Sequence, residues 1–70
     1  MTISNPYKII GDRIKIARQK IGLSQKALGE QIGLDDTKIS KIESGERKID
    51  WVEAQFLVRC LGIGYQDLEV

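Results

Sequence analysis

Asp36, Thr37, Ser40 and Lys41 follow one another at the spacing that puts four polar side chains along one side of a helix. Together they offer an acceptor-only carboxylate, two hydroxyls that donate and accept, and a donor-only ammonium. That set suits the edges of nucleobases. A carboxylate accepts from cytosine N4, a lysine donates to guanine O6 and N7, and a threonine bonds a base or lays its methyl on thymine. The bland alternative is the solvated face of an amphipathic helix. Asp36 is the awkward member, because phosphates repel it unless it accepts from cytosine. Its other role is to favour the positive end of a helix dipole, worth about 0.3 to 1 kcal/mol. Asp35 shares that dipole and is assigned as the helix cap.

The chain around these residues must hold them as a rod. Residues 25–45 place two amphipathic helical patterns on either side of a tight turn, with Leu28, Ile32, Leu34, Ile39 and Ile42 all on the inner side. Gly33 stands where the chain reverses, and Ala27 and Gly29 stand where two helix backbones are expected to approach closely. Ser24 caps a helix over 25–32, and Asp35 caps the next over about 36–43, with Lys38 where a full capping box would have glutamate. The pattern is a helix-turn-helix, whose second helix is sized for the DNA major groove.

Outside that unit, Asn5 and Pro6 start a first helix in which Ile10, Ile14 and Ala17 recur to about Ile21, where Gly22 ends it. Residues 1–4 are expected to form a frayed arm. Asp50 and Glu53 make a capping box for a helix through Leu61, with Trp51, Ala54, Leu57, Val58 and Leu61 as its inward stripe. A last short helical turn is expected over Tyr65 to Leu68. No strand signal of any length interrupts these elements, so the expectation is a single all-α domain of five helices over residues 1–70.

Composition removes several classes of function. One cysteine excludes an intramolecular disulfide, and with no histidine a zinc site has too few ligands and the commonest general base is missing. No phosphate loop, metal spacing or activated nucleophile is assembled, so neither an enzyme nor a cofactor is expected. Without a membrane-length apolar run or a signal peptide, the default is a cytoplasmic protein. The net charge of +1 at pH 7 is a weak signal. Its distribution says more: residues 1–34 carry six basic groups against two acids, residues 35–48 four of each, and residues 49–70 Arg59 against four acids. A basic pole of that kind can meet a phosphate backbone, although a chain with 30% charged residues also solvates a small surface this way.

Gly11 and Arg13, Arg18, the run Gly22-Leu23-Ser24-Gln25, Leu28, Gly33, Ile39, Ser40, Ile42, Glu43, Gly45 and Leu61 stand in one register across residues 9–69. In these positions the chain resembles the phage Cro and repressor family of helix-turn-helix proteins, also called the xenobiotic response element family. The resemblance implies a lambda-repressor-like fold and sequence-specific binding of double-stranded operator DNA, usually as a dimer, in transcriptional control. It also implies a partly buried Arg18–Glu43 ion pair of structural importance.

Beside that implication, further residues take provisional roles. Gln25 opens the second helix, where free backbone N–H groups and the positive dipole end can meet a phosphate, and the resemblance puts this position at the DNA backbone. Lys38, Ser44, Arg47 and Lys48 are the other phosphate candidates, the last two in a turn that can equally be solvated. Val52, Phe56 and Cys60 form a second stripe on the fourth helix, with Tyr65 at its rim, read as a homodimer or partner surface unless a rotated helix buries it. Cys60 is then a small apolar residue.

The competing class is an antitoxin-like or regulatory interaction module with a protein partner and secondary or lost DNA binding. No small-molecule ligand is expected. With no ligand domain after residue 70, switching is expected to come from concentration, a partner or competition for the site.

Overall fold

Each helix begins on a residue whose side chain closes its first turn, satisfying a backbone N–H that has no partner inside the helix. The computed structural model describes residues 5–70, so the expected arm at residues 1–4 lies outside the described residues. Asn5 Oδ1 accepts from the Tyr7 N–H at 3.1 Å and starts α1, Pro6–Lys20. Ser24 Oγ accepts from Ala27 at 3.0 Å and starts α2, Gln25–Ile32. Asp35 Oδ1 accepts from Lys38 at 2.8 Å and starts α3, Asp36–Ser44. Asp50 Oδ1 accepts from Glu53 at 2.7 Å and starts α4, Trp51–Leu61, where the Glu53 carboxylate returns a bond to the Asp50 N–H. Losing one such cap costs about 1 kcal/mol.

The described residues contain no strand, and the expected fifth helix is a single 3₁₀ turn over Tyr65–Leu68. The architecture is therefore four α-helices and a closing turn, not five helices. Four residues between Gly64 and Glu69 are too few to repay helix nucleation. The Asp67 carboxylate instead pins the turn by accepting from the Gly64 N–H at 3.1 Å.

Every α-helix gives two side chains to one core: Ile10 and Ile14, Leu28 and Ile32, Ile39 and Ile42, Leu57 and Leu61. Tyr7, Leu23, Leu34, Ile49, Ile63 and Leu68 close it from the turns and ends. The tightest approach between helices is α1 on α3. A Cβ added to Gly11 would fall 2.5 Å from the Glu43 carbonyl oxygen, so only glycine lets the two backbones come this near. The close approach expected for Ala27 and Gly29 is of a different kind: Gly29 lies against the Leu34 carbonyl in the turn between α2 and α3.

Trp51 was expected on the inward stripe of α4 but is 67% exposed. Glu53, Leu57 and Leu61 face inward instead, and a residue two places earlier is rotated about 200° away. The Trp51 ring stacks on Tyr65, with centroids 5.4 Å apart and planes 24° from parallel.

Candidate nucleic-acid interface

The packing of Ile39 and Ile42, each 1% exposed, decides which side of α3 faces outward. Asp36, Thr37, Lys38, Ser40, Lys41 and Ser44 are all exposed. Asp36, Thr37, Ser40 and Lys41 line one shallow surface depression together with Gln25 and Glu46. Lys38 projects from another part of the helix and does not line it. A neighbouring depression joins Gln25, Ser40, Glu43 and Ser44 to Lys8 and Lys15 of α1. Those two lysines were missed from sequence; the signal was their separation by seven residues, two helical turns, on the basic pole.

A buried ion pair holds the base of this face. Arg18 Nε lies 2.6 Å from Glu43 Oε2 and Nη2 lies 3.0 Å from Oε1, while Nη1 donates to the Leu23 carbonyl at 2.8 Å. The hydrogen bonds from Arg18 to Glu43 raise the guanidinium pKa further, against the effect of burial. Glu43 Oε1 also accepts from Gln25 Nε2 at 3.0 Å. The Glu43 carboxylate thus ties the end of α3 to α1 and to the first residue of α2, and Arg18 reaches on to the α1–α2 turn. The Gln25 amide is oriented by Glu43, and the remaining N–H of its NH₂ group and its oxygen are left for an outside partner.

The turn after α3 is arranged differently from a free basic loop. Arg47 donates to Glu53 through both terminal nitrogens, at 2.8 and 2.7 Å, and so points towards α4. Those bonds, with the one from the Asp50 backbone, hold the Glu53 carboxyl below its usual range despite its burial. The Lys48 ammonium lies 5.7 Å from the centre of the Tyr7 ring, within cation–π range. Asn5 Nδ2 donates to the Gly45 carbonyl at 3.3 Å, which fastens the start of α1 to the end of α3. Ser44 Oγ donates to the Lys41 carbonyl at 3.1 Å.

On α4, Val52 and Phe56 are exposed by 56% and 44%, and Tyr65 nearby by 43%. Cys60 does not join them as an open apolar residue. It packs against the core, its thiol lies 2.8 Å from Gln31 Oε1, and burial pushes its pKa up. Among the described residues there is no cluster of side chains able to hold a metal ion, and no helix is long and apolar enough to cross a membrane.

A four-helix core, a capped third helix with its apolar side buried, and a three-residue turn before it that reverses at the left-handed Gly33 define the fold. The helix-turn-helix family model matches residues 14–68 of this chain. The chain belongs to the Cro and repressor family of helix-turn-helix proteins. Its similarity to members of this family extends over most of its length. It is 36% identical over 66 residues to the control protein C.MunI of a Mycoplasma species, covering 91% of this chain and 89% of that protein. An uncharacterized HTH-type transcriptional regulator of Sinorhizobium medicae is 33% identical over 60 residues, 84% of this chain. The matched stretch is 43% of that regulator, so the chain corresponds to well under half of it. Among solved structures, the restriction-modification controller protein C.AhdI of Aeromonas hydrophila superposes with a TM-score of 0.81 at 31% identity, covering 89% of this chain and 94% of that one. The P22 c2 repressor, solved in complex with a synthetic operator, superposes with a TM-score of 0.82 at 28% identity, covering 87% and 92%. The family member described here thus has the DNA-binding fold of transcriptional regulators.

Proposed function

We propose that this chain is a repressor that binds double-stranded DNA in a sequence-specific manner, as a homodimer on a two-fold operator. Its third helix enters the major groove with Asp36, Thr37, Ser40 and Lys41 towards the base edges. Gln25, Lys38 and Ser44 meet phosphates at the rim. The observation that carries the reading is the division of α3. Its apolar side is almost wholly buried in the core, and its exposed side carries hydrogen-bonding groups within one depression beside the start of α2. The P22 c2 repressor, of the same fold, was solved with an operator, which supports the same use of the helix here.

Arg47 and Lys48 contribute less to phosphate binding in this reading, since Arg47 is held by Glu53 and Lys48 rests over Tyr7. The exposed Val52, Phe56, Trp51 and Tyr65 form the dimer surface. A two-fold dimer places its half-sites about one helical turn apart, roughly 34 Å. Selection of bound fragments from a random duplex pool at fixed salt tests the proposal. The expected result is a two-fold consensus with that spacing and steep weakening with salt. Failure to enrich any duplex at low ionic strength contradicts it.

The same apolar patch favours a second reading, an interaction module whose main contact is another protein. Such a module co-purifies with its partner and keeps that contact when Lys41 is changed to alanine.

A further inference from the structure

We infer that each operator half-site contains a cytosine read by the Asp36 carboxylate and, two to three base pairs along, a guanine read by Lys41. The inference rests on α3 being the base-reading helix and adds the identity of what it reads. Two acids open this helix, and only one is needed to close it. Asp35 accepts from the Lys38 N–H at 2.8 Å and fills the cap position. Asp36 is the first residue of the helix, exposed, with no hydrogen-bond donor to its carboxylate among the described residues. It lies in the depression shared with Gln25, Thr37, Ser40 and Lys41.

A carboxylate there can only accept, and this sorts the four bases. Guanine presents O6 and N7, and thymine presents O4, all acceptors that repel it. Adenine offers its N6 amine, but with the N7 acceptor beside it. Cytosine presents the N4 amine as its only hydrogen-bonding group in the major groove. Asp36 therefore selects by exclusion as well as by attraction, and a negative charge near phosphates lowers affinity for every other sequence. Lys41 sorts the bases the opposite way, since an ammonium donates to guanine O6 and N7. Five residues of helix advance about 7.5 Å, against about 3.4 Å for each base-pair step, which sets the separation of the two contacts.

The test compares duplexes selected by the wild-type chain, Asp36→Ala, Asp36→Asn and Lys41→Ala, with circular dichroism confirming that each variant is helical. Asp36→Ala keeps the Asp35 cap and is expected to fold. The wild type is expected to enrich one cytosine per half-site, with a loss of about 5- to 150-fold when that pair is changed. Asp36→Ala should abolish that preference and bind unrelated duplexes more tightly, while guanine selection two to three pairs away persists. Asp36→Asn should move the preference to adenine, whose N6 and N7 an amide matches. Lys41→Ala should lose the guanine and keep the cytosine. A cytosine preference that survives in Asp36→Ala, or none in the wild type beside intact guanine selection, overturns the assignment of Asp36 alone. A wild-type chain that enriches no duplex overturns this inference together with the reading on which it rests.

Discussion

Helices α3 and α4 each bury two large aliphatic side chains in the same core, yet what they turn outward is opposite in kind. The outer side of α3 is hydroxyls, a carboxylate and ammonium groups; that of α4 begins with Trp51, Val52 and Phe56. Burial alone does not separate them. The difference lies in how each is held. In the last turn of α3 stands Glu43, whose carboxylate serves Arg18 and Gln25 and so fixes the rod against α1 and α2. In the first turn of α4 stands Glu53, which serves Arg47 and the helix cap and so fixes only the preceding turn. A polar face tied to two other helices is suited to reading a rigid ligand, whereas an apolar face left uncovered is suited to meeting its own copy.

The strongest way to break this contrast is to loosen α3 at its base. Arg18→Ala leaves the Glu43 carboxylate buried without a countercharge, and a loss of about 3 to 5 kcal/mol in unfolding free energy is expected from urea titration. Phe56→Asp attacks the other helix. Because Phe56 is exposed by 44%, the fold should persist while sedimentation shows a dimer weakened by about 2 kcal/mol or more.

Acid should act through α4 as well. The Glu53 carboxyl is held below its ordinary range, chiefly by Arg47, so its contribution is complete above about pH 4.3 and is lost as pH falls through its lower folded value. Glu53→Gln should cost about 1 to 2 kcal/mol near neutrality and flatten that part of the acid limb in a stability–pH profile.

The smaller effects sharpen the α3 side of the comparison. Lys41→Ala should weaken DNA binding about tenfold and relax selection at one base pair per half-site. Lys38→Ala, outside the shared depression, should weaken binding to all duplexes evenly and reduce the salt slope by about 1. Loss of base preference on changing Lys38 would place the reading face elsewhere on the helix.

Much of this architecture was legible because it follows local rules. The four caps, the reversal at Gly33 and the inward aliphatic residues of the first three helices each depend on neighbours within one or two turns. Apolar type alone points Trp51 inward, but helical spacing sets the facing of α4. Trp51 stands six residues before the buried Leu57, about 240° round the helix from it, and the inward Glu53 is paired with Arg47. The same pair removed Arg47 from the free loop. Gly11 carried no periodic signal, since its role exists only where α3 passes over α1. Within the candidate site, the outward position of the α3 polar groups was readable from helical spacing. The Gln25–Glu43 bond was not, because it joins two helices whose mutual angle no local pattern specifies.

The central claim, that the exposed side of α3 is the surface that meets base pairs, is tested most directly by amide chemical-shift mapping. The labelled chain is titrated with a duplex enriched in the selection experiment, beside a scrambled duplex of equal length. The account predicts that the largest changes specific to the enriched duplex fall on Asp36 to Ser44 and on Gln25. Specific changes centred on Val52 and Phe56 with α3 unmoved, or the same response to both duplexes, would contradict it.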